Sequence, residues 1–253
     1  MAEEKTVQSI ARVFHIIEVL AAHPQGVSLQ QLATETQLAK STAHRLAANL
    51  IALGYAVQDS FTSQYRLTLK MFELSSAVVN DTSILTVAKP HLDRLAHRSG
   101  EAVHLVIRDG TDVVYLFKAE SGGMRMSSRV GLRVPIYCTG VGKAILSTLP
   151  YPEVEAIWNA TEHHRLTDHT IVDLKDLNEE LALVRTSGYA IDDEENELGI
   201  RCVALPIPGP GGRAESAFSI SSLVPHMGRD RLAQLAALAL ETQTDILRDL
   251  GML

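Results

Sequence analysis

The chain of 253 residues contains two cysteines, Cys138 and Cys202, which are too few for a disulfide framework in a chain of this length. It also lacks any apolar run that approaches the length of a membrane span. The first residues, MAEEKTVQS, are charged and polar, so a signal peptide is not predicted. These absences make the reducing cytoplasm the expected location.

Motifs of nucleotide-binding and hydrolytic sites are also missing. The segment TGVGKA at 139–144 resembles a phosphate loop, but Tyr137 stands at the leading glycine position and Ala144 follows the lysine. There is no G-x-S-x-G elbow. Three histidines within 163–169 have no cysteine or paired ligand beside them, which favours a surface or structural role. We therefore expect no metal, no cofactor and no catalytic residue.

The net charge of −7 is unevenly spread along the chain. Residues 1–75 hold six Lys or Arg and six Asp or Glu, whereas residues 76–253 hold seventeen and twenty-four. This balance argues against a protein that coats nucleic acid nonspecifically. The neutral first part could still bind DNA through a local basic face. The candidate cations of that face are Arg12, Lys40, Arg45, Arg66 and Lys70.

The segment SLQQLATETQLAKSTAHRLAANL at 28–50 has the pattern of two short helices joined by a tight turn. Ser28 and Gln31 have the spacing of a capping box, so the first helix is expected to begin there. The second helix is expected over 40–53, with Gly54 at its end. This arrangement is typical of a helix-turn-helix, which places its second helix in the major groove of DNA.

Helical periodicity divides the second helix into two faces. Apolar positions at spacings of three and four predict a buried stripe, formed by Ala43, Leu46, Ala47, Leu50 and Leu53. The opposite face is polar, and there Ser41 and Thr42 suit phosphate contacts while Arg45 can reach a guanine edge. The candidate DNA-contacting residues are Ser28, Gln30, Lys40, Ser41, Thr42, His44, Arg45 and Asn49.

The flanking segments complete a predicted domain. Upstream lies a further helix that is expected to pack behind the pair. Its predicted apolar stripe is Ile10, Phe14, Ile17 and Leu20. Downstream, strand-like runs at 55–57 and 65–67 enclose a turn-rich segment. Three helices followed by a hairpin predict a winged helix-turn-helix.

Beyond residue 100 the pattern changes to paired strands with flanking helices. One hairpin is predicted over AVHLVIRDG and TDVVYLFKAE, and a second strand pair over RCVALPIPG and AESAFSISSLV. Helices are expected at 140–149, 173–188 and 228–251. Strands in pairs with flanking helices predict an α+β domain with an antiparallel sheet.

Three features of this second part are typical of a small-molecule site. A helix that begins at Gly140 offers backbone N–H groups to an anion. The acidic segment IDDEENELG reads either as a solvated loop or as a turn from which Asp192 points inward as a polar anchor. Ser219 and Ser221 share one face of an otherwise apolar strand, where a few polar groups can orient a ligand.

Four segments make the chain similar to the IclR family of transcriptional regulators over essentially its whole length. They are AKSTAHRLAANLIALGYA, SSRVGLRVPIYCTGVGKAILS, YAIDDEENELGIRCVALPI and AFSISSLV. The second and third also resemble the subset that controls sugar-acid breakdown, such as repressors of 2-keto-3-deoxygluconate pathways. The resemblance implies a winged helix-turn-helix over 1–68, a linker helix over 69–82 and a GAF-like effector domain with an antiparallel sheet over 83–253.

The resemblance also implies how the protein acts. Most such regulators are dimers or dimers of dimers that control catabolic operons in response to a small acidic metabolite. The implied partners are double-stranded operator DNA, a small carboxylate or sugar-acid effector and further copies of the chain, without a membrane. The family's effector pocket corresponds to Gly140, Val141, Asp192, Cys202, Ser219 and Ser221.

Two alternatives remain open at the level of the sequence. The second part could be an enzyme with Cys138 or Cys202 as nucleophile, although no basic partner is recognisable beside either cysteine. It could also be a protein-interaction domain without a ligand. An enzyme would turn its ligand over, a sensor would return it unchanged, and an interaction domain would bind no metabolite.

Overall fold

The computed structural model describes residues 7–80, 83–121 and 126–253. The chain divides into two compact units, residues 1–81 and residues 82–253. In these described ranges, no helix combines the length and the apolarity that crossing a membrane requires.

The described part of the first unit consists of three helices, a hairpin and a further helix. They are α1 (Gln8–Ala22), α2 (Leu29–Glu35), α3 (Lys40–Ala52), β1 (Ala56–Gln58), β2 (Tyr65–Leu67) and α4 (Lys70–Asn80). The two strands pair antiparallel. The predicted winged helix-turn-helix is confirmed. Helix α4 falls within the range expected for a linker helix, of which residues 81 and 82 lie outside the described residues.

The start of α2 shows half of the predicted capping box. The Ser28 hydroxyl accepts a hydrogen bond from the backbone N–H of Gln31 at 3.2 Å, which satisfies one of the free donors of the first turn. The Gln31 side chain does not return a bond to Ser28. Its amide instead donates to the Glu35 carboxylate at 2.8 Å, one helical turn further on.

The predicted buried faces of α1 and α3 are wrong in part. In α1 the buried side chains are Ile16, Val19 and Leu20, whereas Ile10 and Phe14 are 51% and 57% exposed. The helix carries two adjacent apolar stripes, and packing against α2 and α3 selects the one centred on Ile16. On α3 the predicted stripe is buried as far as Leu50, but Leu53 lies past the last helical residue and is 60% exposed.

The second unit contains an antiparallel sheet with helices on both faces. Its described helices are α5 (Ser83–Ser99), α6 (Gly140–Ser147), α7 (Tyr151–Asn159), α8 (Leu174–Ser187) and α9 (Arg229–Asp249). Its described strands are β3 (Ala102–Asp109), β4 (Asp112–Ala119), β5 (Arg133–Pro135), β6 (Ala190–Asp193), β7 (Ile200–Pro208) and β8 (Ala214–Leu223). The predicted α+β architecture with two strand pairs is confirmed.

The strands lie in the order β5-β4-β3-β8-β7-β6, and neighbours are antiparallel. Strands β3 and β8 are central, although they come from opposite ends of the unit. Side chains alternate between the two faces of β8. Phe218 and Ile220 join the core under α5 and α9, while Ala217 joins the core under α6 and α8. Ser219 and Ser221 therefore lie on the same face as α6.

The acidic segment differs from the solvated loop that its composition also allowed. Residues 190–193 form edge strand β6, with Asp192 paired to Cys202 on β7. Asp192 is 5% exposed, while Asp193 next to it faces solvent. The inward orientation of Asp192 follows from strand alternation, because Ala190 and Asp192 share the covered face of the strand.

Candidate functional site

Helix α3 carries the exposed polar face that the sequence predicts. The side chains of Ser41, His44, Arg45 and Asn49 are exposed, and Thr42 is half-buried at the edge of the face. Lys40 begins the helix and is also exposed. Ser28 and Gln30 lie at the start of α2, where the Ser28 hydroxyl is engaged in capping and Gln30 is exposed.

The cations of the first unit have different roles. Lys40 and Arg45 on α3 pair with no described carboxylate and remain available to an external anion. Lys70 is committed within the unit: its ammonium donates to the Leu53 carbonyl at 2.8 Å and lies 4.7 Å from the ring centroid of Tyr55. It thereby satisfies a carbonyl at the negative end of α3.

A cavity in the second unit lies where the start of α6 meets the polar face of the sheet. The six residues expected to bind an effector come from four separate segments and all line it: Gly140, Val141, Asp192, Cys202, Ser219 and Ser221. The volume of the cavity that the centre of a water molecule can occupy is about 50 Å³. One water needs about 10–15 Å³ by this measure, so the cavity can hold several waters or a small ligand.

The start of α6 supplies the donors of this cavity. Thr139 caps the helix, and its hydroxyl accepts from the Gly142 N–H at 3.2 Å. The N–H groups of Gly140 and Val141 precede the first intrahelical bond, so they have no partner within the helix. They lie at the positive end of the helix and line the cavity, which makes them suited to an anion.

A glycine allows α6 to approach the preceding segment closely. A Cβ on Gly142 would lie 1.8 Å from the Ile136 carbonyl oxygen, so no larger residue fits there without a shift of the backbone. The segment TGVGKA is therefore a packing motif of this helix start.

The lysine of the same segment is buried. Lys143 is 1% exposed, and its ammonium contacts the Glu195 carboxylate and lies 3.1 Å from Glu180. This ion pair ties α6 to the turn that follows β6, whose Glu195 N–H donates to the Asp192 carboxylate. The backbone carbonyl of Glu195 also accepts from Thr170 at 2.7 Å. No local pattern in the sequence indicates this role for Lys143.

Asp192 is the buried acid of the cavity. Its carboxylate accepts from the Glu195 backbone N–H at 2.9 Å. Burial, together with the neighbouring Glu195 carboxylate, raises the pKa of Asp192 to about 7. Near neutral pH this group therefore exists in both forms, and it can accept a hydrogen bond from a ligand or donate one to it.

The serine strand faces the start of α6 across the cavity. Ser221 pairs with Cys202 on β7, and Ser219 pairs with His104 on β3. The Ser219 and Ser221 hydroxyls are 3.4 Å apart. Burial raises the pKa of the Cys202 thiol and raises that of Cys138 to about 12, so both thiols are protonated at neutral pH.

The structure adds lining residues that the sequence did not reveal. They are His104, Tyr115, Met126, Ser127, Ser128, Leu132, Val134, Thr139, Asn196, Glu197 and Ile200. A signal existed for His104, because it is the one polar residue within AVHLVI and its two neighbours in the strand are fully buried. Among the described lining side chains Asp192 and Glu197 are acidic and none is cationic. An anionic ligand would therefore rely on the α6 N–H groups.

The histidines of 163–169 do not gather around a common point. His163 stacks on Trp158 with ring centroids 3.6 Å apart, and the backbone of His164 is hydrogen-bonded to the Tyr137 hydroxyl. Across the residues that the structure describes, no group of three or more His, Cys, Asp or Glu has the arrangement of a metal site.

Comparison with known families decides the identity of both units. Residues 9–60 match the IclR helix-turn-helix domain, and residues 76–248 match the bacterial transcriptional regulator IclR C-terminal domain. This chain belongs to the IclR family. The two matches cover most of its length, and IclR proteins are transcriptional regulators with a DNA-binding helix-turn-helix.

Curated IclR relatives share about a third of their residues with the chain. The DNA-binding transcriptional repressor YiaJ of Escherichia coli K12 is 35% identical over 230 residues, which cover 87% of this chain and 81% of YiaJ. The HTH-type transcriptional regulator KdgR of the same strain is 32% identical over 234 residues, covering 92% and 89%.

Solved IclR structures have the same fold. The Thermotoga maritima IclR structure is 31% identical with a TM-score of 0.84, covering 96% of this chain and 98% of that one. An IclR homologue from Microbacterium hydrocarbonoxydans, complexed with 4-hydroxybenzoate, has a TM-score of 0.82 at 22% identity, covering 96% and 99%. The latter likeness shows the fold alone.

Proposed function

We propose that the protein is a repressor of a catabolic operon and that a small carboxylate or sugar acid, bound in the cavity of the second unit, controls it. The observation that carries this proposal is the convergence of four distant segments on one cavity, with free N–H donors on one side and serine hydroxyls on the other. YiaJ, which is named a repressor, supports the direction of regulation.

The DNA side of the proposal rests on α3. Its exposed face offers Ser41 and Thr42 for phosphate oxygens and Arg45 for a guanine edge, and none of these side chains is buried in the core. The remaining candidates flank them: Lys40, His44 and Asn49 on α3, with Ser28 and Gln30 on α2. A dimer or tetramer would place recognition helices on the half-sites of a roughly palindromic operator.

The effector side follows from the polarity of the cavity. The ligand carboxylate would accept from the N–H groups of Gly140 and Val141. Ligand hydroxyls would bond to Asp192 and to the serine strand, with Cys202 in apolar contact. The Microbacterium homologue was crystallised with 4-hydroxybenzoate, a carboxylate with one hydroxyl, which is consistent with a ligand of this chemistry.

Control of the operator requires the two sites to be coupled. Effector binding would favour one arrangement of the DNA-binding units over another, and a coupling of about 1–3 kcal/mol changes operator affinity about 5- to 150-fold. The state of both thiols favours a sensor over a cysteine enzyme, because a nucleophilic cysteine needs a lowered pKa and burial raises it here.

The first test is a thermal-shift screen of the full chain against gluconate, pyruvate, glyoxylate and 4-hydroxybenzoate. One-site binding at 100 times the dissociation constant stabilises a protein by about 2.7 kcal/mol. A ligand that stabilises the protein should also change its affinity for DNA duplexes selected from a random pool. Asp192→Ala with Ser219→Ala should abolish the ligand response and retain DNA binding. A full response in that double variant would place the effector elsewhere.

A further inference from the structure

His104 lies at the centre of the polar wall of the cavity. It belongs to β3, is 2% exposed, and its ring meets that of Tyr115 edge-on with centroids 5.2 Å apart. Its strand neighbours Val103 and Leu105 are fully buried in the core on the other face of the sheet. Since buried polar groups are hydrogen-bonded as a rule, the partners of the two imidazole nitrogens define what this side chain does.

Those partners connect the serine strand to Ser128, in the segment that precedes β5. The His104 Nδ1 atom is 3.3 Å from the Ser221 hydroxyl, which in turn is 3.4 Å from Ser219. The Nε2 atom is 2.8 Å from the Ser128 hydroxyl. A continuous chain of polar groups therefore runs along the cavity wall, with the imidazole in the middle.

We infer that His104 is a specificity-determining residue, because its imidazole fixes the hydrogen-bonding direction in which Ser221 and Ser219 meet the ligand. This inference rests on the effector site of the proposed function. A neutral imidazole has one N–H and one acceptor nitrogen. With the proton on Nε2, His104 donates to the Ser128 hydroxyl, and its Nδ1 accepts a hydrogen bond from the Ser221 hydroxyl, which leaves serine lone pairs for a ligand hydroxyl. With the proton on Nδ1, Ser221 keeps its proton for a ligand carbonyl or carboxylate.

The surroundings hold the imidazole neutral and its outer partner in place. Burial, and then the positive charge of Lys118, lower the pKa of His104 to about 4, against a smaller opposing effect of Glu120. The Lys118 ammonium also donates to the carbonyls of Ser128 at 2.7 Å and Met126 at 2.9 Å. A neutral imidazole and its partner segment are thus in place before a ligand arrives.

The test compares variants for ligand discrimination as well as stability. His104→Gln replaces the imidazole, and Ser128→Ala removes the partner of Nε2 in a half-buried segment that should tolerate the change. His91→Gln is the matched control. His91 is a buried histidine of the same unit that does not line the cavity, and its Nε2 atom lies 2.7 Å from the Asp249 carboxylate. Gluconate, which is rich in hydroxyl donors, and pyruvate, which has none, are the probes for calorimetric titration.

The expected result is a change of about tenfold in the ratio of the gluconate and pyruvate dissociation constants in both His104→Gln and Ser128→Ala, with no change in His91→Gln. An unchanged ratio in the first two variants would overturn the inference while leaving the effector site intact. Failure of the wild-type chain to bind either probe or any other carboxylic acid of the screen would overturn the effector site itself.

A second readout needs no ligand. Nitrogen-15 spectra of the histidine side chains should show His104 neutral and in one tautomer from about pH 5 to 8, in line with its pKa of about 4. Ser128→Ala should shift the tautomer population. Equal populations of both tautomers in the wild-type chain, unaltered by that substitution, would contradict a fixed polarity.

Discussion

Asp192 packs directly against the first residue of α6: a Cβ placed on Gly140 would lie 3.4 Å from the Cβ of Asp192. A buried carboxyl group therefore shares one corner of the cavity with the N–H groups that would hold a ligand carboxylate. Two negative charges that share a buried site repel each other strongly. The corner accepts an anion best when Asp192 is protonated or when its carboxylate accepts a hydrogen bond from a ligand hydroxyl.

The first prediction concerns stability and pH. Burial raises the pKa of Asp192 to about 7, so between its ordinary pKa and about 7 the folded chain binds a proton that the unfolded chain releases. This group stabilises the fold at low pH, and that contribution is lost as pH rises, by up to about 1.4 kcal/mol per unit. In urea denaturation from about pH 5 to 8, the unfolding free energy of the wild type should fall relative to that of Asp192→Asn as pH rises. Parallel pH curves would contradict the raised pKa.

The second prediction concerns the buried ion pair. Lys143→Met should destabilise the protein by about 3–5 kcal/mol, because it leaves the Glu195 carboxylate buried without its cation. Lys143→Met combined with Glu195→Met should recover much of that loss, since it removes both charges. Denaturant midpoints of the two variants measure the difference. A double variant as unstable as the single one would show that packing at these positions matters more than charge.

The third prediction concerns Gly142 in α6. Gly142→Ala should lower the unfolding free energy by more than about 3 kcal/mol or prevent folding of the second unit, because the new Cβ overlaps the Ile136 carbonyl. Gly228→Ala is the matched control, since no atom lies within 4 Å of the corresponding Cβ position. Thermal unfolding of the two variants should therefore separate widely, and similar midpoints would contradict the close approach.

The fourth prediction concerns DNA. Arg45→Ala should lower affinity for duplexes selected by the wild-type chain by about 1–3 kcal/mol and relax their sequence preference. Arg229→Ala, at an exposed arginine of the second unit, controls for the loss of one positive charge. Fluorescence anisotropy at fixed salt measures both variants. Equal DNA affinity of the two variants would show that Arg45 is not part of the recognition surface. Ligand binding should be unaffected in both variants.

Local signals made several elements predictable. Asp173 caps α8 by accepting from the Lys175 N–H, and Gly188 ends the helix in the left-handed conformation with φ of 82°. Such signals act between residues close in sequence, so they can be recognised without the fold. The α3 face was predictable for the same reason, because helical spacing alone separates Leu46 from Arg45.

The sequence-based predictions were wrong where two local arrangements are equally favourable and tertiary contacts decide between them. Helix α1 has two apolar stripes, and only the packing of α2 and α3 decides that Ile16 is buried and Phe14 exposed. The roles of Lys143 and His104 depend on partners more than twenty residues away in sequence. No short-range pattern contains that information, although a lone polar residue in an apolar strand points to a special role for His104.

The central position of β3 and β8 has a consequence for folding while the protein is synthesised on the ribosome. Ala102 pairs with Ser221, so one edge of β3 has no strand beside it until β8 (Ala214–Leu223) has been synthesised. Closing so long a loop makes formation of the sheet slow, and an unpaired strand edge favours aggregation meanwhile. The serine strand arrives with this last pairing. Ligand binding in the cavity would thus require that β8 has been synthesised and has paired with β3.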